Sequence, residues 1–218
     1  MKRGSSSATD IQQLRILKGA LNCFADTGYV GTTISVIAKQ GGISHGLVHH
    51  YFDSKENLFT TIINSGLVYL KQTSQMAVKR GTTAEDKLRI WIYSILHSLD
   101  PADINLYRRL VMQVLGAPGL HPLSCTNALD NYTKEEVSQL ADMLSELGQP
   151  VEKAFQSSCI LFNVLLGCLL VGTHPDHLAT LYRYSCEMIG ISPDPISGHV
   201  EFPPIPWSFV ENPVVTSN

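Results

Sequence analysis

A chain of 218 residues with 44% hydrophobic side chains and a net charge of −3 suits one large domain, or a small one joined to a larger, with a sizeable core. The charge is uneven: residues 1–60 carry +2 and the remainder −5, so a polyanion partner fits one end only. Five cysteines, an odd set without a CxxC pair and mostly in apolar runs, argue against a disulfide scaffold and for reduced thiols in a cytoplasmic protein.

The opening "MKRGSSSATD" has charge but no apolar stretch behind it, so no signal peptide is expected. Residues 10–27 then place Ile11, Leu14, Leu17, Leu21, Phe24 and Ala25 at three- and four-residue steps, a helix stopped by Gly28. The Thr32-Thr33 pair offers an N-cap for a short helix bearing Val36, Ile37 and Ala38, and Gly41-Gly42 breaks it. Ser44 caps a third helix to about His50. A longer helix begins near Ser54 and runs to about Lys79. Further helices are expected at 83–99, 103–115, 123–147, 150–172 and 175–190, punctuated by Asp100-Pro101, "GAPG" at 116–119, Gly148 with Pro150, and His174-Pro175. The longest apolar run, 159–172, is interrupted by Asn163 and is shorter than the ~20 residues a bilayer span needs, so no membrane partner is expected. From Ile191 six prolines forbid helix, while Val200, Phe202, Ile205, Trp207 and Phe209 suggest a tail that packs on the body. The fold class is therefore all-α.

Two short helices joined by a glycine turn make a helix-turn-helix. Ala38 is small where the helices cross, Gly42 accommodates positive φ at the turn, and Ile43, Val48 and Phe52 form the buried wedge. His45, Gly46, Leu47, His49 and Tyr51 then face outward. The stretch "TTISVIAKQGGISHGLVHHYFDSKENLF" (32–59), preceded by "ALNCFADTGYVG" (20–31), resembles the TetR family of transcriptional repressors. The matching positions are Phe24-Ala25, Gly28-Tyr29, Thr32-Thr33, Ile37-Ala38, Gly42-Ile43-Ser44, Tyr51-Phe52 and Lys55, all in register over about 40 residues.

That resemblance implies an N-terminal three-helix DNA-binding domain (1–53), a larger helical bundle for ligand binding and dimerisation (54–190), and a Pro-rich tail (191–218). It implies phosphate contacts by Thr33, Tyr51 and Lys55, and a base or phosphate contact by Ser35. The leading end of the recognition helix, Ser44, His45, Gly46 and Leu47, would read base edges in the major groove. His49 stands where the family usually has a tyrosine. His45 and His49 also share a helix face at a metal-ligand spacing, but only Asp53 lies near enough in sequence to join them. DNA contact is the preferred reading, and no metal or cofactor is implied.

The implied function is a homodimeric, ligand-responsive repressor, released from a pseudo-palindromic double-stranded operator by a small hydrophobic or aromatic effector. Residues 154–172 are apolar almost all round. With the small Ser157, Ser158 and Gly167, and with Leu178, Leu181, Tyr182, Met188 and Ile189 of the next helix, they are expected to form a four-helix dimer interface. Trp91, Ile95, Tyr107, Leu110, Val114, Phe162 and Leu166 could line an effector pocket, with His97, Gln113 and Asn163 as polar handles. Each of these is also an ordinary core position. The rivals are a helical ligand-binding enzyme and a protein-interaction module without DNA binding. No G-x-S-x-G, H-E-x-x-H or phosphate-cradling glycine loop supports catalysis.

Overall fold

The computed structural model describes residues 8–97, 102–171 and 175–196. Its helices are α1 (Ala8–Gly31), α2 (Ile34–Gln40), α3 (His45–Tyr51), α4 (Lys55–Arg80), α5 (Ala84–His97), α6 (Ala102–Gly116), α7 (Leu123–Glu146), α8 (Val151–Val171) and α9 (Pro175–Ile189), with a 3-10 turn at Pro118–Leu120 before α7. No strand occurs among the described residues. The expected boundaries hold to within a few residues because side chains set them. Thr33, Ser44 and Ser54 each accept a hydrogen bond from the backbone N–H three residues on, relieving an orphan donor at the start of α2, α3 and α4. In α1 the helix proper stops at Gly28, whose φ of 75° and ψ of 169° kink the chain before its last turn. Gly190 closes α9 with φ 76°, while Ile191 N–H reaches back to Cys186 O.

Two hydrophobic clusters share the interior. The first joins α1, α2, α3 and the first half of α4 to α6 and the start of α7, with Phe24, Ile37, Val48, Phe52, Phe59, Tyr107 and Val114 among its members. It therefore crosses position 53. The second joins α5, the end of α7, α8 and α9 through Trp91, Ile95, Leu140, Phe162, Leu165 and Cys186. Between the first cluster's halves, Tyr107 of α6 lies flat on the backbone of α4 at Gly66, where any Cβ would overlap the ring. The Tyr107 hydroxyl donates to Ile63 O at 2.9 Å.

A polar group sits deep in the bundle. Glu136 is 2% exposed, and its carboxylate accepts from Ser74 Oγ (2.9 Å) and Trp91 Nε1 (3.1 Å), tying α4 and α5 to α7. Burial, only partly offset by those two donors, raises its pKa above the ordinary 4.5. The folded state thus holds this proton to a higher pH than the unfolded chain does. Stability from this group is present below 4.5 and is lost as pH rises through the raised value. Glu136→Gln, being neutral throughout, should gain in melting temperature relative to the parent as pH goes from about 4.5 toward neutrality. Thermal melts at a series of pH values check this; a difference independent of pH would be the contrary result.

Large apolar side chains stand on the outward faces of α8 and α9, among polar ones such as Gln156, Arg183 and Glu187. Phe155, Ile160 and Val164 on α8, and Tyr184 and Met188 on α9, are exposed. Of the residues expected at a dimer interface, Leu178, Leu181 and Tyr182 are half-buried against the second cluster, and Ile189 belongs to it. Helical spacing shows that these residues share a face but not which neighbour that face meets. Beyond α9, Ile191 is buried. Ser192 N–H donates to Glu85 Oε1 and Tyr182 OH donates to Asp194 O, so residues 191–196 lie along α5 and α9. Phe202, Ile205, Trp207 and Phe209 lie outside the described residues.

Candidate nucleic-acid interface

The helix-turn-helix is built on α1. Its Gly19 approaches Gly41 so closely that an added Cβ would be 3.4 Å from that backbone, which brings α2 against α1. Ile37 and Ala38 point inward from α2. Gly42 makes the turn with φ 63°, and Ile43 N–H returns to Ala38 O at 3.0 Å. Val48 of α3 is fully buried and Phe52 nearly so, while Ile43 is half-buried at the edge of the wedge. These anchors fix the rotation of α3 about its axis and hence which residues it displays.

Thr33, Ser35, Ser44, His45, Gly46 and His49 are exposed, and Leu47 and Tyr51 are half-buried. The His45 and His49 rings lie 4.7 Å apart on one face, and His50 packs edge-on against Tyr51 at 5.3 Å. Thr33 and Ser44 Oγ atoms already accept from Val36 N–H and Leu47 N–H, so their hydroxyl hydrogens are what they can offer an outside acceptor. Among the described residues, no group of three or more His, Cys, Asp or Glu side chains could hold a metal ion.

Lys55 has a use that its sequence neighbourhood does not announce. Its Nζ donates to Tyr29 O at 2.9 Å and Thr32 O at 3.1 Å, and it lies 4.4 Å from the centre of the Tyr29 ring. The kink at Gly28 turns these carbonyls toward the start of α4, so the ammonium joins α1 to α4 and holds the α1–α2 corner. Thr32 completes that corner: fully buried, its hydroxyl contacts Thr27 Oγ1 (2.8 Å) and Gly28 O (2.7 Å). Sequence alone does not separate this buried threonine from the capping Thr33 beside it, because the two look alike in a Thr-Thr pair.

The ten pocket candidates divide between two regions of the interior and its edges. Tyr107, Leu110 and Val114 belong to the first cluster, and Trp91, Ile95, Phe162 and Leu166 to the second. Asn163 is exposed and donates to Cys159 O in its own helix. Gln113 bridges from α6 to Phe24 O and Ala25 O of α1, and His97 stacks on Tyr93.

A family model described as bacterial regulatory proteins, tetR family, matches residues 16–62, which span the corner, both short helices and the start of α4. The chain carries a TetR-family head at these residues. It is a DNA-binding transcriptional regulator. Over 146 residues, 67% of this chain and 70% of the other, it is 21% identical to the biofilm operon icaADBC HTH-type negative transcriptional regulator IcaR of Staphylococcus aureus. It is 33% identical over 78 residues to the HTH-type transcriptional regulator BetI of Rhizobium meliloti, covering 36% and 38% of the two chains. Among solved structures, a TetR-like regulator from Rhodococcus sp. RHA1 superposes with a TM-score of 0.65 at 18% identity, covering 86% of this chain and all of that one. The regulator FadR from Bacillus subtilis, in complex with stearoyl-CoA, gives 0.62 at 19%, covering 81% and 96%. No described helix is long and apolar enough to cross a membrane.

The second role of Lys55 can be measured. Lys55→Ala removes two charge-assisted hydrogen bonds to backbone carbonyls, each worth about 1.5–3 kcal/mol. The melting temperature should fall by several degrees. DNA affinity should drop with the slope of log affinity against log salt unchanged, because what is lost is position. A slope smaller by about one would instead mark a released phosphate contact.

Proposed function

We propose that the protein is a homodimeric repressor whose two recognition helices enter successive major grooves of a pseudo-palindromic operator, and that a small hydrophobic or aromatic effector releases it. The observation that carries this reading is the outward display of His45, Gly46 and His49 on a helix whose rotation is pinned by buried Val48 and Phe52. In this reading Ser44, His45, Gly46 and Leu47 meet base edges, while Thr33, Ser35, His49 and Tyr51 meet phosphates or base edges beside them. Residues 1–53 make the DNA contacts and 54–190 carry the effector and the dimer contact. Lys55 acts as a positioning residue.

Dimerisation is supported by the uncovered apolar side chains of α8 and α9 and by the need of a palindrome for two heads. The repressor sign is supported by the negative regulator IcaR. A hydrophobic effector is supported by the apolar second cluster around Trp91, Ile95, Phe162 and Leu166, and by the acyl-CoA held by the structurally similar FadR. Release follows if the effector has higher affinity for a head spacing that misses successive grooves.

Selection of bound duplexes from a random pool tests the reading, repeated with a metabolite library present. An inverted repeat should emerge, with half-sites about 10 base pairs apart or a multiple of that. His45→Ala and Leu47→Ala should each relax preference at defined positions, by about 1–3 kcal/mol per base pair. A direct repeat, or a motif unchanged by both substitutions, would refute the assignment.

A further inference from the structure

Where the kinked end of α1 meets the corner between α6 and α7, the surface folds into a cavity of about 330 Å3. Thr27, Gly28, Tyr29 and Val30 form one wall, and Gln113, Gly116, Ala117, Leu120 and His121 the other. It lies apart from the second cluster, where an effector is placed above. We propose that this cleft is a separate binding site, for a compact, neutral, largely apolar molecule carrying one hydrogen-bond donor.

The size lies within the range of small-molecule sites, and the walls select the chemistry. No Asp, Glu, Lys or Arg lines the cleft, so an ionised ligand would shed hydration without finding a counter-charge. Val30 and Leu120 stand 68% and 61% exposed on opposite walls, apolar surface that an occupant would cover. Tyr29 and His121 add aromatic faces, with ring centres 6.0 Å apart.

One polar atom in this setting is unsatisfied. Gln113 Nε2 donates to Phe24 O and Ala25 O, both at 3.3 Å, carbonyls in the helical turn that leads into the Gly28 kink. Those two bonds fix the amide's orientation. Its Oε1 is buried and has no hydrogen-bond partner, and it faces Gly28, where an added Cβ would lie 3.8 Å away. A buried acceptor without a partner costs free energy until a donor reaches it. A hydroxyl or N–H entering between Gly28 and Gln113 supplies that donor, and an orientation fixed beforehand lowers the entropy lost on binding. The occupant would bridge the recognition head and α6.

The test uses full-length protein, calorimetry and amide NMR shifts, with three probes of one shape: 2-naphthol, 2-methoxynaphthalene and 2-naphthoate. Saturable binding of 2-naphthol is expected, with shifts centred on residues 27–30 and 113–121. The methoxy analogue, lacking the donor, should bind at least ~10-fold more weakly, and the anion more weakly still. A Cβ added at Gly116 meets nothing within 4 Å, so Gly116→Trp starts from open space and should fill the cleft and abolish binding. Leu120→Glu, at an exposed position, serves the same purpose by placing charge on the apolar wall. Absence of saturable binding, shifts centred elsewhere, equal affinity for the methoxy analogue, or binding that survives both substitutions would each overturn the proposal. None of these readouts depends on operator DNA, so failure here leaves the repressor reading standing, and failure there leaves this one.

Discussion

Ile160→Glu should turn the proposed dimer into monomers at micromolar concentration and lower operator affinity at least ~100-fold. Ile160 is 58% exposed on the outward face of α8, with Phe155 and Val164 on the same helix and Tyr184 and Met188 on α9 also uncovered. In a two-fold interface a single substitution is felt twice, so two carboxylates would be pressed together in an apolar contact. Each must then stay hydrated, which opens the interface, or take up a proton. The monomer should keep its fold, because the side chain points away from both clusters. Loss of affinity follows because the second half-site no longer benefits from the tethering of the first. Sedimentation velocity and a DNA-binding isotherm on the same sample check both halves. A dimer that persists with unchanged operator affinity would move the contact off this face.

Gly66→Ala should be among the most damaging substitutions of one small residue for another. The Tyr107 ring occupies the space of the missing Cβ, and Tyr107 is 2% exposed with its hydroxyl held by Ile63 O. The ring cannot swing aside without abandoning that bond, nor can α4 retreat without opening the first cluster. Overpacking of this kind costs about 1–3 kcal/mol, and loss of the Tyr107 bond would add about 1 kcal/mol. Chemical denaturation should show the midpoint fall with an unchanged slope. Tyr107→Phe combined with Gly66→Ala should recover none of the loss, since the ring remains. Combined instead with Tyr107→Leu, part of it should return, which identifies the steric cause.

Much of this architecture was legible because short polar residues mark helix ends. Thr33, Ser44 and Ser54 start the helices expected to begin beside them, and Gly42 makes the expected turn. The display of α3 was legible too, since period 3.6 separates Val48 and Phe52 from His45 and His49. Partnership between distant segments was not. Lys55 reads as a surface cation beside DNA, and only the kink at Gly28 reveals the carbonyls that engage it. Tyr107 and Trp91 both read as interior aromatics, yet they lie in different cores. The inward turn of Leu178 and Leu181 depends on where α5 lies, and α9's own sequence does not record that.

The first hydrophobic cluster, running unbroken from α1 through α4 into α6 and α7, bears on any attempt to redirect this regulator by exchanging modules. A chimera joined at residue 53 would leave Leu58, Phe59, Ile62 and Ile63 beneath incoming helices shaped for another α4, and set foreign side chains against Tyr107, Val111 and Val114. The transplantable unit is smaller than the head. Only the exposed positions of α2 and α3 can be rewritten without disturbing that shared foundation, so new operator specificity is better written onto this scaffold than spliced into it.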